Sequence, residues 1–163
     1  MTDQHSNARE RVLITGAAKG IGAAIVAACI DSGRHVIATD VDESGLAGLR
    51  ESYPGIHTAA LDVRDLRAWQ RVVAESEEVG GPVSVLINNA GVGAIGPFRR
   101  ASEARLRRVM EVNFFAPAEL TRIALPLLRA GDRPMIVNVG SVLGHRAVPK
   151  KSEYSAAKFA LHG

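Results

Sequence analysis

Short runs of aliphatic and β-branched residues alternate along the chain with longer stretches in which apolar positions recur every three or four residues. The short runs cover residues 12–14, 35–39, 58–61, 83–87 and 135–139, and most are nearly continuous in apolar side chains. That pattern predicts parallel strands covered on both faces. The longer stretches predict helices over 21–32, 43–52, 66–78 and 103 to about 128. In the first of these, Ile21, Ile25, Ala28 and Cys29 fall on one stripe. Asp65 and Ser102 are suited to open helices, and Gly33, Gly80 and Gly131 to stop them. Ser152 would open a last helix through Tyr154, Lys158 and Leu161. The alternation predicts an α/β fold, a doubly wound parallel sheet with helices on both faces. No repeat or linker interrupts it, so the expected organisation is a polar tail over residues 1–10 and one domain over 11–163.

Composition narrows the class. Apolar residues make up 47% of the 163 and charged residues 23%, enough side chain to build a core and too much for intrinsic disorder. The single cysteine, Cys29, cannot form an internal disulfide or a thiolate cluster, and its neighbours suggest a small buried core residue. No apolar run approaches the ~20 residues of a membrane span, and the polar start lacks the apolar stretch of a secretory signal. A cytoplasmic protein with no membrane partner is expected. The net charge of +3 permits anionic ligands without demanding nucleic acid. The densest basic stretch, Arg99, Arg100, Arg105, Arg107 and Arg108, is broken by Glu103 and has one aromatic neighbour, Phe98. It reads as a solvated helix face, with no nucleic-acid partner expected. The five histidines lack metal-ligand spacing, so no metal site is expected. Trp69 reads as packing.

Directly after the first strand comes Thr15-Gly16-Ala17-Ala18-Lys19-Gly20-Ile21-Gly22. In a strand-loop-helix context Gly16 permits the sharp turn, Gly20 lets backbone approach a pyrophosphate, and Gly22 allows close packing. The N–H groups and dipole of the following helix point at the phosphates. Eighteen residues beyond Gly22, the second strand ends at Asp40, near the offset of a ribose-binding acid. A carboxylate there accepts from ribose hydroxyls and repels a 2′-phosphate. No Arg or Lys neighbours Asp40 or Asp42 in sequence, whereas Lys19 in the loop could help hold a 2′-phosphate. NAD is favoured over NADP.

Tyr154 and Lys158 are one helical turn apart and share a face. A free phenol has a pKa of ~10, and a nearby ammonium favours the phenolate, which brings such a group toward a useful proton-transfer range. Ser141, at the end of the fifth strand, could hold a substrate oxygen beside it.

With these pieces in order, the chain resembles the short-chain dehydrogenase/reductase family over essentially its whole length. The residues that carry the resemblance are Thr15-Gly-Ala-Ala-Lys-Gly-Ile-Gly22, Asp62-Val63, Asn88-Asn89-Ala90-Gly91, Asn113, Ser141 and Tyr154-Ser-Ala-Ala-Lys158. The resemblance implies a hydride-transferring, NAD(P)-dependent oxidoreductase acting on a small-molecule alcohol or carbonyl. Tyr154 would be the acid/base, Ser141 would orient the reacting oxygen, and Lys158 would bind the nicotinamide ribose. Asn113 would hold a relay water. Asp62 and Val63 would contact the adenine, with Asn89 along the adenosine side. The family fold continues beyond this chain, so its last strands and substrate-recognition part would be missing here, and the parent would be a homo-oligomer. A dinucleotide-binding regulatory or redox-sensing module without turnover is the alternative. Pro117 adds an independent argument: in a regular helix it stands where an N–H would bond the Asn113 carbonyl, and it has none to offer.

Overall fold

The computed structural model describes residues 10–163. Five parallel strands, β1 (Arg11–Thr15), β2 (His35–Asp40), β3 (His57–Ala60), β4 (Val85–Asn88) and β5 (Met135–Asn138), form one sheet in the order β3-β2-β1-β4-β5. Six α-helices connect and cover them: α1 (Gly20–Asp31), α2 (Glu43–Ser52), α3 (Leu66–Gly80), α4 (Glu103–Met110), α5 (Ala116–Ala130) and α6 (Ser152–His162). Register pairs Ile14 with Ala38 on one side and Ile87 on the other. The ends of β1, β2 and β4 therefore reach the same edge of the sheet. The chain leaves β1 outward to β2 and β3, then returns to β4 on the other side, the crevice where doubly wound sheets bind ligands.

Strand alternation divides the core in two. Leu13, Ile37 and Leu86 point to one face and pack with Trp69 and Val73 of α3 and Leu120, Ala124 and Leu128 of α5. Their neighbours Val12, Ile14, Val36, Ala38, Val85 and Ile87 point to the other face, against Val26 of α1 and Leu46 and Leu49 of α2. Helices thus lie on both faces, as the unbroken apolar strands require. Trp69 is fully buried in the first cluster, in keeping with a packing role. β5 occupies one border of the sheet, and Met135, Ile136 and Val137 are exposed there.

Several local expectations shift. Asp65 and Ser102 do open α3 and α4: Asp65 Oδ1 accepts from the Ala68 N–H at 3.0 Å, and Ser102 Oγ from the Arg105 N–H at 3.1 Å. Ser152, in contrast, lies inside α6, and Lys151 is the capping residue with no side-chain cap bond. α3 runs through Gly80, and the left-handed turn falls at Gly81. The Ile21-Ile25-Ala28-Cys29 stripe is only partly the core-facing side of α1: Ile25 and Cys29 pack against the second cluster, while Ile21 and Ala28 are exposed. Gly22 and Val26 are buried, Cys29 is half-buried, and Ile21 is 65% exposed at the lip of a groove. Burial nonetheless pushes the Cys29 thiol pKa up, opposed by Arg34. The proposed tail over residues 1–10 lies outside the described residues except for Glu10. That residue belongs to the fold, its carboxylate binding Arg34 at 2.8 Å and Arg133 at 3.0 Å.

The helix expected over 103–128 is continuous to Ala130 but changes pitch. Between α4 and α5, Glu111–Phe115 forms a π turn, with the Ala116 N–H donating to the Glu111 carbonyl. Pro117 does not end the helix; the irregularity is the turn before it. Such bulges bend a helix and free backbone groups.

Candidate active site

The glycine loop is tied down from both sides. Gly16 adopts φ +64°, open to glycine at little cost, and its carbonyl accepts from Asn89 Nδ2 at 2.8 Å. A Cβ on Gly22 would stand 2.0 Å from that carbonyl oxygen, so no larger residue fits while the loop keeps its shape. Gly20 also has positive φ, +57°, but faces open space. Asn89 Nδ2 donates to the Thr15 carbonyl as well, at 3.0 Å, and Thr15 Oγ1 accepts from the Asn89 and Ala90 N–H groups, each at 3.0 Å. Asn89 is thus the clamp between the ends of β1 and β4. α1 begins with no side-chain cap, so no side chain occupies its first N–H groups.

Beside this loop lies a cavity of about 590 Å³. Its lining includes the predicted Gly16, Lys19, Ile21, Gly22, Asp40, Asp62, Val63 and Asn89. Asp40 is nearly buried, and both its carboxylate oxygens accept backbone N–H groups, Ala18 at 2.9 Å and Asp42 at 3.0 Å. It is therefore an anchored acid that also braces the loop. The absence of a basic neighbour holds only along the chain: in space Lys19 Nζ lies 3.7 Å from Asp42 Oδ2. The Asp42 carboxyl is held below its ordinary range mainly by the Ser44 hydroxyl and the Gly45 N–H, with Lys19 adding to both.

A second cavity, about 390 Å³, is lined by Tyr154 and Lys158 of α6, Lys151, Val139 and Gly140 after β5, and Gly93. It shares Ile21, Asn89, Gly91 and Val92 with the first, so the two form one groove over the sheet edge. Lys158 is 5% exposed, and its ammonium donates to the Val139 carbonyl at 2.8 Å. Its nitrogen stands 5.9 Å from the centre of the Tyr154 ring, too far for a hydrogen bond to that ring's face. Burial pushes the Lys158 pKa down.

The other two predicted residues stand back from the groove. Ser141 follows Gly140, but its Oγ accepts from the Leu143 N–H at 3.1 Å, capping a short 3-10 turn over Val142–Gly144. Asn113 is 1% exposed, and its side chain is spent on structure. Nδ2 donates to the Val92 and Val109 carbonyls, each at 2.9 Å, and Oδ1 accepts from the Val92 N–H at 3.3 Å. The π turn also shifts the backbone register: with the Ala116 N–H on the Glu111 carbonyl, position 117 falls opposite the Val112 carbonyl, and not opposite Asn113 as in a regular helix. His145 is a loop residue, its ring 3.9 Å from that of His162.

Sequence reading missed three basic residues. Arg64 and Arg108 line the larger cavity. Arg64 grips Asp62 through Nε at 3.0 Å and Nη2 at 2.6 Å, and this contact chiefly holds the Asp62 carboxyl below its ordinary range. Arg108 lies one turn before Val112, which lines the same cavity, and that spacing was the available signal. Arg105 is the third. Its guanidinium donates to the carboxylate of Glu153, whose side chain is wholly buried. The basic stretch is therefore not simply a solvated face, although Arg107 conforms by pairing with Glu103 on the surface.

A parallel sheet wound on both sides, with a glycine turn and a groove at its switch point, defines a Rossmann-type α/β protein. The chain belongs to the short chain dehydrogenase family, whose description matches residues 10–163. Its relatives include L-xylulose reductase of Homo sapiens, 37% identical over 94% of this chain and 62% of that protein. Ketoacyl reductase HetN of Nostoc sp. is 34% identical over 92% of this chain and 54% of its own. Among solved structures, a short-chain dehydrogenase from Streptomyces avermitilis superposes with a TM-score of 0.90 at 37% identity, over 96% of this chain and 58% of that one. A short chain dehydrogenase/reductase from Burkholderia phymatum in complex with NAD gives 0.89 at 31% identity, over 94% and 57%. The chain spans little more than half the length of these relatives. Among the described residues, no helix is long and apolar enough to cross a membrane.

Proposed function

We propose that the protein is a nicotinamide-dependent oxidoreductase acting on a small alcohol or carbonyl compound, with NAD as its cofactor. The observation that carries this reading is the continuity of the groove. The cavity beside the glycine turn and the cavity holding Tyr154 and Lys158 share Ile21, Asn89, Gly91 and Val92. One extended dinucleotide is the ligand such a groove suits.

The residues present fit that ligand. Gly16 and Gly22 meet so closely that a Cβ would collapse the cradle, and the uncapped start of α1 offers N–H donors to a pyrophosphate. Asp40, with Val41 beside it, would face the adenosine ribose, and its fixed negative charge disfavours a 2′-phosphate. Lys19, already turned toward Asp42, leaves that preference intact. Val63 and the Asp62-Arg64 pair would border the adenine. When bound, the nicotinamide supplies hydride exchange with the substrate carbon.

The chain's own groups handle the proton. Tyr154 would exchange it with the substrate oxygen at the phenol. Lys158, held in place by the Val139 carbonyl, keeps a positive charge beside that phenol and would bind the nicotinamide ribose. The Asn113 carbonyl would hold a water between Lys158 and solvent. Ser141 Oγ accepts from the Leu143 N–H, which leaves its own O–H to donate to the same oxygen. Homologous reductases of sugars support a hydroxylated or carbonyl substrate.

The test is fluorescence titration of the full-length protein with NADH and NADPH, followed by nicotinamide absorbance with a panel of alcohols and ketones. NADH should bind more tightly than NADPH, and Tyr154→Phe should lower turnover by about 10²–10⁴ without weakening NADH binding. Binding with no turnover across the panel would instead favour a redox-sensing module.

A further inference from the structure

The end of the groove that holds Tyr154 carries unbalanced positive charge. Its lining contains two lysines, Lys151 and Lys158, and no carboxylate. The other end differs in carrying carboxylates, Asp40 and Asp62, beside its own cations Lys19, Arg64 and Arg108. The nearest acid in sequence, Glu153, is turned away from the cavity. Its side chain is 0% exposed and committed to Arg105 and to the Ser152 hydroxyl. Lys158 is likewise committed, through its bond to the Val139 carbonyl. Lys151 makes no ion pair among the described residues. It caps α6 three residues before Tyr154, and the two residues line the same cavity.

The placement of Lys151 is built rather than incidental. The residue before it, Lys150, adopts φ +65°, a left-handed conformation that a long side chain avoids. The Lys150 carbonyl accepts from the Gly96 N–H at 2.9 Å, which pins this strained turn to the loop forming the opposite wall. Strain held by a tether is characteristic of positions where a side chain must be aimed.

We propose that Lys151 is a specificity-determining residue, selecting substrates that carry an anionic group a few bonds from the reacting carbon, with hydroxy and keto carboxylates the chemical class it fits. The inference rests on the oxidoreductase reading above. Among the described residues, a carboxylate beside Tyr154 meets the Lys151 ammonium and no acid in the cavity lining, and its desolvation is offset by a charge-assisted bond. A neutral sugar or alcohol leaves the Lys151 ammonium without a partner.

The experiment compares four- to six-carbon 2- and 3-hydroxycarboxylates with their methyl esters on the full-length protein. Binding is read by calorimetry in the presence of NADH, and turnover by nicotinamide absorbance. At least one carboxylate should bind tenfold or more tightly than its ester. Lys151→Gln should abolish that ratio and Lys151→Arg should retain it, with the Kd for NADH within twofold throughout. A phosphorylated hydroxy compound in the same assay separates carboxylate from phosphate selection, and a stronger preference for the phosphate would overturn the carboxylate assignment. The inference also fails if esters match acids, if no carboxylate binds, or if Lys151→Gln shifts NADH affinity in place of the ratio. A binding preference without hydride transfer to or from any compound would sink the oxidoreductase reading and leave the anion site standing.

Discussion

Arg105 donates through Nε to Oε1 of Glu153 at 2.9 Å, joining α4 to the first turn of the helix that carries Tyr154. Removing the cation leaves a buried carboxylate unpaired, a change that costs about 3 kcal/mol in comparable sites. Arg105→Ala should therefore lower stability by roughly that amount in urea denaturation, and Arg105→Lys by less.

The same carboxylate makes the fold acid-sensitive. Its own backbone N–H, then Arg105 and the Ser152 hydroxyl, hold the Glu153 carboxyl below the ordinary range, against the opposing effect of burial. A depressed folded pKa contributes stability that is present above the unfolded value of about 4.3 and lost as pH falls through the folded one. Stability should decline on acidification below about pH 4. The decline should be shallower in Glu153→Gln, read as urea midpoints at pH 3 to 6.

Lys158 has the opposite sign. Burial lowers its pKa, so between that value and about 10.4 the unfolded chain binds more protons than the folded one. Stability of the native protein should rise with pH through that window relative to Lys158→Met, which lacks the group. Paired denaturation curves at pH 7 and pH 10 check this. Equal pH slopes in the two proteins would show that the ammonium is not penalised.

Two glycines of one loop should respond differently to alanine. At Gly20 the added Cβ meets nothing within 4 Å, and the cost is left-handed strain of about 1–2 kcal/mol. At Gly22 it would stand 2.0 Å from the Gly16 oxygen and 2.7 Å from Asn89 Nδ2, so the clamp itself must open. Gly22→Ala should lose most NADH affinity and the larger share of thermal stability. A ranking in which Gly20→Ala is the more damaging would contradict this account.

Pro117→Ala restores an N–H after the π turn, so the segment can relax toward a regular helix in which that N–H bonds the Asn113 carbonyl. Turnover should fall by about tenfold, less than the 10²–10⁴ that the whole of proton transfer supplies, while thermal stability is kept. Stopped-flow single turnover, compared with steady state, locates the loss in proton transfer.

Much of this architecture is readable from side-chain pattern because the forces involved are local or periodic. Apolar runs covered on both faces announce parallel strands, and the split of Leu13 from Val12 and Ile14 follows from strand alternation alone. The glycine turn is legible for a related reason. Positive φ at Gly16 and Gly20 restricts the residue type wherever such a turn occurs. Tyr154 and Lys158 meet on one face through helical spacing.

Contacts between distant segments were not written in any local pattern. Arg105 meets Glu153 across forty-eight positions, and Asn89 clamps Gly16 across seventy-three. Nothing near Arg105 distinguishes it from Arg107, which stays on the surface with Glu103. Ile21 fits a buried stripe by periodicity, yet the crevice left where the chain reverses direction puts it at the lip of the groove. Composition and spacing determined the sheet, the turn and the placing of Tyr154 and Lys158 on one helix face, because each depends on neighbours within a strand or a helical turn. Which charges are buried, which residues line the groove, and that Lys151 faces it without a carboxylate were decided when α4, α6 and the loop after β4 packed together, since burial and long-range pairing belong to the assembled chain.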